Sequence, residues 1–161
     1  MPLTVVPSSS TDAQEIAILL QRSITELCVA DHGSDPDKYG PWLANKTAEN
    51  VRGWIEAPGR VFSALDGHGR VIGVAMGSTD GEVLLNYVLP EARFSGVSKR
   101  LMRAVENYFV ERGLTVSRLK STQTAAWFYR SIGYVETGEK EERKAMTFRQ
   151  FERRCRNEQA V

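Results

Sequence analysis

The residues best equipped to do chemistry form one loop, Arg93-Phe94-Ser95-Gly96-Val97-Ser98-Lys99-Arg100. Gly96 lets the backbone approach a ligand closely, with no Cβ in the way. From Val97 an amphipathic helix begins, because Leu101, Ala104, Val105, Tyr108 and Phe109 recur at helical spacing and Gly113 stops the run. The first four amides of such a helix have no internal partner, and its dipole adds partial positive charge at that end. With the charges of Arg93, Lys99 and Arg100 nearby, a phosphate or pyrophosphate is the natural occupant. An ordinary strand-to-helix turn with basic residues facing water has the same spacing, and one glycine does not separate the two.

The elements that must position this loop can be read around it. An apolar run from Val83, bounded by Asp80-Gly81 in front and Pro90 behind, predicts a buried strand that feeds into the loop. Leu3 to Val6 predicts a first strand. Thr11-x-x-Gln14 and Asp12-x-x-Glu15 have the form of capping boxes, so a helix is expected from near Asp12 to about Cys28, with Ile16, Leu19, Leu20, Ile24 and Leu27 on its apolar stripe. Asp31 to Pro41 reads as a polar loop, and a second helix capped by Thr47 ends before Pro58. Strands Arg60 to Leu65 and Val71 to Ser78 flank the hairpin turn Asp66-Gly67-His68-Gly69. After the central helix come a strand from Thr115 to Leu119 and a short helix from Thr122 to Ser131. Closing strands are expected at Tyr134 to Thr137 and Lys144 to Phe148. The basic tail from Arg149 to Arg156 reads as a frayed, solvated helix. Three consecutive strands followed by strand-helix-strand predict a mixed sheet with helices on both faces.

Composition bounds the function. A chain of 161 residues suits one domain that buries roughly two-thirds of its unfolded surface. A net charge of +1 gives no global attraction to nucleic acid or an anionic membrane, so neither is expected as a partner. No apolar stretch approaches the roughly 18 residues of a membrane span. Two cysteines, Cys28 and Cys155, lie far apart without metal-ligand spacing, usage that suits a reducing cytoplasm. Cys28 falls on the apolar stripe of the first helix, which predicts a buried thiol rather than a nucleophile. His68 belongs to the hairpin turn. The motifs of common hydrolases and metalloenzymes are lacking, and no metal is expected.

Arg93-x-x-Gly96-x-Ser98 resembles the Gln/Arg-x-x-Gly-x-Gly/Ala loop of the GCN5-related N-acetyltransferases (GNAT), which holds the pyrophosphate of acetyl-coenzyme A. Ala125-x-x-Phe128-Tyr129-x-x-x-Gly133-Tyr134 resembles the second signature of that family, Asn-x-x-Ala-x-x-Phe-Tyr-x-x-x-Gly-Phe. The two lie in the family's order and separation, and the likeness runs from about Val61 to Phe148. Ser98 stands where Gly or Ala is usual, and Thr122 where Asn is usual.

The resemblance implies a single α/β (α+β) domain over residues 1–161, with a mixed, mostly antiparallel sheet of six to seven strands and helices on both faces. It implies that the fourth and fifth strands splay and admit the thioester of acetyl-CoA, with Asn86, Tyr87 and Val88 beside the acyl group. Val88, Arg93, Phe94, Ser95, Gly96, Val97, Ser98 and Lys99, with Phe128, are the implied cofactor-binding residues. Tyr129 would protonate the departing thiolate. Glu82 would be the base for the acceptor amine. Asp31, His32 and Asn86 would line the acceptor pocket, His32 being able to titrate near neutrality and the acidic cluster Asp31, Asp35, Asp37 attracting a cationic amine. The implied activity is direct acetyl transfer, in a ternary complex, to a small-molecule amine or a peptide amine. A non-catalytic acyl-CoA sensor is the alternative. Family members often pair, so a homodimer is among the implied assemblies.

Overall fold

The computed structural model describes residues 2–143 and 146–155. Its sheet grows from the tight hairpin of β2 (Arg60–Leu65) and β3 (Val71–Gly77). The Asp66 carboxylate accepts from His68 N at 2.8 Å and Arg70 N at 3.0 Å, which closes the turn and keeps His68 within it. β1 (Thr4–Pro7) pairs with the outer edge of β2, and β4 (Glu82–Val88) with the far side of β3. The central helix α5 (Val97–Glu111) then crosses back over the sheet to β5 (Val116–Ser121), parallel to β4. β6 (Val135–Arg143) and β7 (Met146–Arg154) complete seven strands in the order β1-β2-β3-β4-β5-β7-β6. Among the described residues only the β4–β5 pair is parallel, so the sheet is mixed and mostly antiparallel.

Period-two alternation along β2 and β3 divides the core between the faces. Phe62, Ala64 and Ala75 meet α5 through Val97, Leu101, Val105 and Phe109. Val61, Val74 and Met76 meet α1 (Ala13–Leu27) and α4 (Ala48–Glu56) through Ile16, Leu20 and Val51. Two glycines of β3 set the closeness of the α5 contact. A Cβ at Gly73 would lie 2.7 Å from Val97 Cγ1, and one at Gly77 would lie 2.8 Å from Phe109 Cε1.

Several expectations from the sequence are corrected. Neither capping box forms. Ser9 accepts from Thr11 N ahead of a single 3-10 turn at Ser10–Asp12, Asp12 caps nothing, and Glu15 turns to accept from Val71 N at 3.0 Å. The loss is minor, because a cap is worth about 1 kcal/mol while Ile16, Leu20 and Ile24, each fully buried, contribute about 1.5–3 kcal/mol apiece. The segment expected as a polar loop holds a one-turn helix α2 (Val29–His32) and a longer α3 (Pro36–Leu43). Pro36 sits at the helix start, where its fixed φ helps and its missing N–H costs nothing, and Asp35 caps by accepting from Asp37 N at 2.9 Å. Thr47 caps α4 as expected, accepting from Asn50 N at 3.1 Å. The short helix near Thr122 starts later, as α6 (Ala126–Ser131).

The C-terminal segment is strand rather than helix. Through residue 154 it lies between β5 and β6, so both its edges are hydrogen-bonded and Phe151 is fully buried. Two of its cations are matched by neighbours: Arg153 Nη1 lies 3.0 Å from Glu106 Oε1, and Arg149 Nε lies 3.7 Å from Glu136 Oε1. Lys144 and Arg156 lie outside the described residues. Among the described residues no helix is long and apolar enough to cross a membrane.

Candidate active site

The one parallel pair is also the place where the sheet opens. β4 and β5 are in register at Glu82↔Arg118 and Val83↔Leu119 and pair no further, although β4 continues to Val88 and β5 to Ser121. Two cavities use the opening, of about 340 Å³ and about 320 Å³, and they share Val83, Leu84, Leu85, Tyr87 and Lys120 as walls.

The first cavity lies against the start of α5. Gly96 caps that helix in the left-handed conformation (φ +82°), with open space where a Cβ would be and no side chain capping the amides that follow. Arg93, Phe94, Gly96, Val97, Ser98 and Lys99 all line the cavity. Ser95 does not, because its hydroxyl turns back to donate to Ala92 O at 2.5 Å. Phe94 has φ +65° and is 77% exposed, in a conformation that costs a non-glycine residue about 1–3 kcal/mol. Its ring lies 6.4 Å from that of Trp127, which is also exposed, and the Arg93 guanidinium sits 4.7 Å from its centre. Trp127 is a site residue that sequence reasoning misses; its only signal is its place beside Phe128 on the short helix.

Tyr129 closes the inner end. It is buried against Tyr134 and Phe151, and its Oη accepts from Asn86 Nδ2 at 3.2 Å. Burial pushes its pKa up to about 12, so the phenol keeps its proton at neutral pH. Asn86 Oδ1 is buried without a partner among the described residues, a lapse that native interiors rarely tolerate unless something else supplies the donor. Val88 and Phe128 line the same space. Thr122 Oγ1 accepts from Ala125 N at 3.3 Å and so closes the turn that leads into α6.

The expectations for His32 and Asp31 need correction. His32 is not a loop residue open to substrate: it is 1% exposed, donates from Nε2 to Ile24 O at 2.7 Å and accepts at Nδ1 from Ser34 N at 3.0 Å. Both ring nitrogens are used, and the ring packs edge-on to Tyr39 and Trp42, so its role is to hold α3. The Asp31 carboxylate accepts from Thr124 N at 3.1 Å and from the Thr124 hydroxyl, pinning the β5–α6 loop. Asp35 is the α3 cap. None of Asp31, His32, Asp35 or Asp37 lines either cavity. Cys28 does line the first, but burial, with the nearby Asp31 charge, pushes its pKa up to about 12, which keeps it a thiol.

The second cavity is polar and mostly basic. α3 and its following loop supply Lys38, Trp42, Asn45 and Lys46; β4 supplies Glu82, β5 Lys120 and β6 Arg143. Lys120 Nζ lies 3.8 Å from Glu82 Oε1 and 2.7 Å from Glu141 Oε2. Lys46 is only 8% exposed, and its Nζ donates to Asn45 Oδ1 at 2.7 Å. Burial, reinforced by Arg143, pushes its pKa down to about 8. This lysine has no sequence signal, because nothing in linear spacing joins residues 46, 82, 120 and 143.

Among the described residues the sheet has one parallel pair, which parts beside the start of α5, and this is the arrangement of a GNAT-fold protein. More particularly, residues 38–155 match the family model of the acetyltransferase (GNAT) domain, and the chain belongs to that family. Solved structures agree on the fold. A GCN5-related N-acetyltransferase from Rhodopseudomonas palustris is 18% identical with a TM-score of 0.85, covering 96% of each chain. PaiA N-acetyltransferase from Thermoplasma acidophilum, solved with coenzyme A, is 15% identical with a TM-score of 0.77, covering 96% of this chain and 99% of that one. YncA of Salmonella typhimurium, solved with its cofactor acetyl-CoA, is 15% identical with a TM-score of 0.73, covering 100% of this chain and 98% of that one. No curated protein sequence matches significantly.

Proposed function

We propose that the protein is an N-acetyltransferase that moves an acetyl group from acetyl-coenzyme A directly to a primary amine while both are bound. One observation carries this: the parted strands have a helix start and a proton-bearing phenol on one side, and a separate polar cavity with a carboxylate on the other. The residues of the first cavity fit coenzyme A. Amides of Val97, Ser98 and Lys99, with Gly96 leaving room and Arg93 and Lys99 adding charge, suit a pyrophosphate. Asn86 Oδ1 lacks a donor, and the amide N–H groups of the coenzyme arm are donors of that kind.

When bound, acetyl-coenzyme A supplies a thioester carbonyl open to attack by nitrogen. Val88, Phe128 and the β4 backbone at Asn86 and Tyr87 exclude water around it. Because Asn86 Nδ2 is the donor to Tyr129 Oη, the phenol hydrogen remains available to a departing thiolate. General acid help of this kind is worth about a hundredfold or more. Glu82, in the second cavity, takes the proton that an incoming ammonium must lose, directly or through water. Holding both reactants aligned can supply about 7–11 kcal/mol of the barrier.

Calorimetry with acetyl-CoA, together with free-thiol release across a panel of amines, tests the proposal. The expected result is cofactor binding plus thiol release above hydrolysis. Binding without release would make the domain a sensor, and absence of binding would remove the assignment.

A further inference from the structure

We propose that the acceptor is an amine that also carries a carboxylate, seated in the second cavity with its carboxylate on Lys46 and its amine towards Glu82 and the parted strands. This rests on the acetyltransferase reading above and names the substrate class for it. The cavity is lined by four cations, Lys38, Lys46, Lys120 and Arg143, and one carboxylate, Glu82. Two of the cations are already compensated. Glu141 accepts from Arg143 Nε at 2.8 Å and Nη2 at 3.1 Å, and from Lys120 at 2.7 Å. Lys38 and Lys46 form no ion pair among the described residues, so the excess positive charge is theirs.

Lys46 is the informative one. A lysine this buried ordinarily has an anion beside it or relaxes out to water. Here it stays buried with no ion-pair partner among the described residues. Gln21 Nε2 donates to Lys46 O at 2.8 Å, Lys46 N donates to Leu43 O at 2.9 Å, and Asn50 Nδ2 donates to the adjoining Asn45 O at 3.0 Å. The loop backbone is therefore fixed from three directions, and the side chain that lines the cavity is anchored at its end by the Asn45 amide. One of its three N–H groups goes to Asn45 Oδ1, and the others are left for a ligand. A carboxylate, with two oxygens and one charge, matches one ammonium with two free donors. A phosphate ester needs more donors than that. A polyamine would set its further cations against Lys38 and Lys46.

The test reads equilibrium binding, so that it does not depend on turnover. The protein, with and without coenzyme A, is titrated calorimetrically with N-acetylamino acids bearing small, acidic and aromatic side chains, with their primary amides, and with N-acetyl-O-phosphoethanolamine. At least one acid should bind about ten-fold or more tighter than its own amide, the effect of one charged hydrogen bond. Lys46→Met should erase that preference and leave coenzyme A affinity unchanged, while Lys46→Arg should keep much of it. Amides that bind as well as acids, no binding by any acid, a preference for the phosphate, or a preference that survives in Lys46→Met would each overturn the proposal. Failure of the transferase reading shows separately, as the absence of coenzyme A binding or thiol release.

Discussion

Lys46→Met is expected to make the ligand-free protein more stable near neutral pH, although it removes a hydrogen bond. Burial pushes the lysine from its ordinary 10.5 to about 8, and each tenfold change in proton affinity is 1.36 kcal/mol, so keeping the group charged costs the folded state about 3 kcal/mol. The bond from Nζ to Asn45 Oδ1 returns about 1 kcal/mol of net stability. Methionine, apolar and of similar length, avoids the cost of burying a charge and gives up only the hydrogen bond. The difference is about 2 kcal/mol, or roughly 4–8 °C in Tm for a domain of this size.

The pH dependence separates this account from simple repacking. Between about 8 and 10.5 the unfolded chain binds more protons at this lysine than the folded one, so wild-type stability should rise with pH across that window. Below the window both states are protonated and the full penalty stands. Above it both are neutral and the penalty is gone. Urea unfolding of both proteins across the window should therefore give curves that close by about 3 kcal/mol and cross towards the alkaline end, where wild type has lost the penalty and kept the hydrogen bond. A variant less stable than wild type at neutrality, or a wild-type curve no steeper than the variant's, would refute the reasoning. A saturating carboxylate ligand should reverse the order, since it stabilises the charged form that the empty cavity penalises.

Tyr129→Phe should lower kcat by about a hundredfold or more while leaving KM for acetyl-CoA nearly unchanged, and an unaltered rate would remove the phenol from the mechanism. Gly96→Asp should abolish acetyl-CoA binding in calorimetry, because it sets an anion against the pyrophosphate and forces a side chain into φ +82°; undiminished affinity would sink the loop assignment. Gly77→Ala should destabilise by about 1–3 kcal/mol in urea unfolding, because its Cβ would stand 2.8 Å from Phe109 Cε1 and 3.0 Å from Val105 Cγ1. A stability equal to wild type would mean that α5 can move off the sheet at no cost.

What is legible in the sequence is local. The Arg93–Arg100 loop, the stripe of α5 and the hairpin turn at Asp66 each declare themselves within a dozen residues, and each recurs in the structure at the same positions. What is hidden depends on partners distant in sequence. Pro36, Gly40 and Pro41 read as breakers, yet a helix forms there, with Asp35 capping its start and His32 packed against its Tyr39 and Trp42. Arg149 to Arg154 reads as a solvated basic run, because nothing in it reveals that β5 and β6 take up its backbone on both sides. The acidic cluster around Asp31 is legible as charge but not as purpose: Asp31 serves Thr124, and Asp35 serves the α3 start.

That last difference bears on how the acceptor would react. An acidic pocket attracts a cationic amine but also holds the proton on it, whereas the cavity beside β4 is basic. The cations of Lys38 and Lys46 would disfavour an ammonium beside them and so lower its pKa, the direction that nucleophilic nitrogen requires. The cost is a weaker grip on the amine end, and a carboxylate on Lys46 offsets that loss from the other end of the same molecule. One charge distribution would then both select a zwitterionic acceptor and help to strip its proton for Glu82. The lysine proposed to select the acceptor is also the one whose charge burial disfavours, so the stability gain expected of Lys46→Met and the loss of acid preference expected of it would be two measures of a single buried charge.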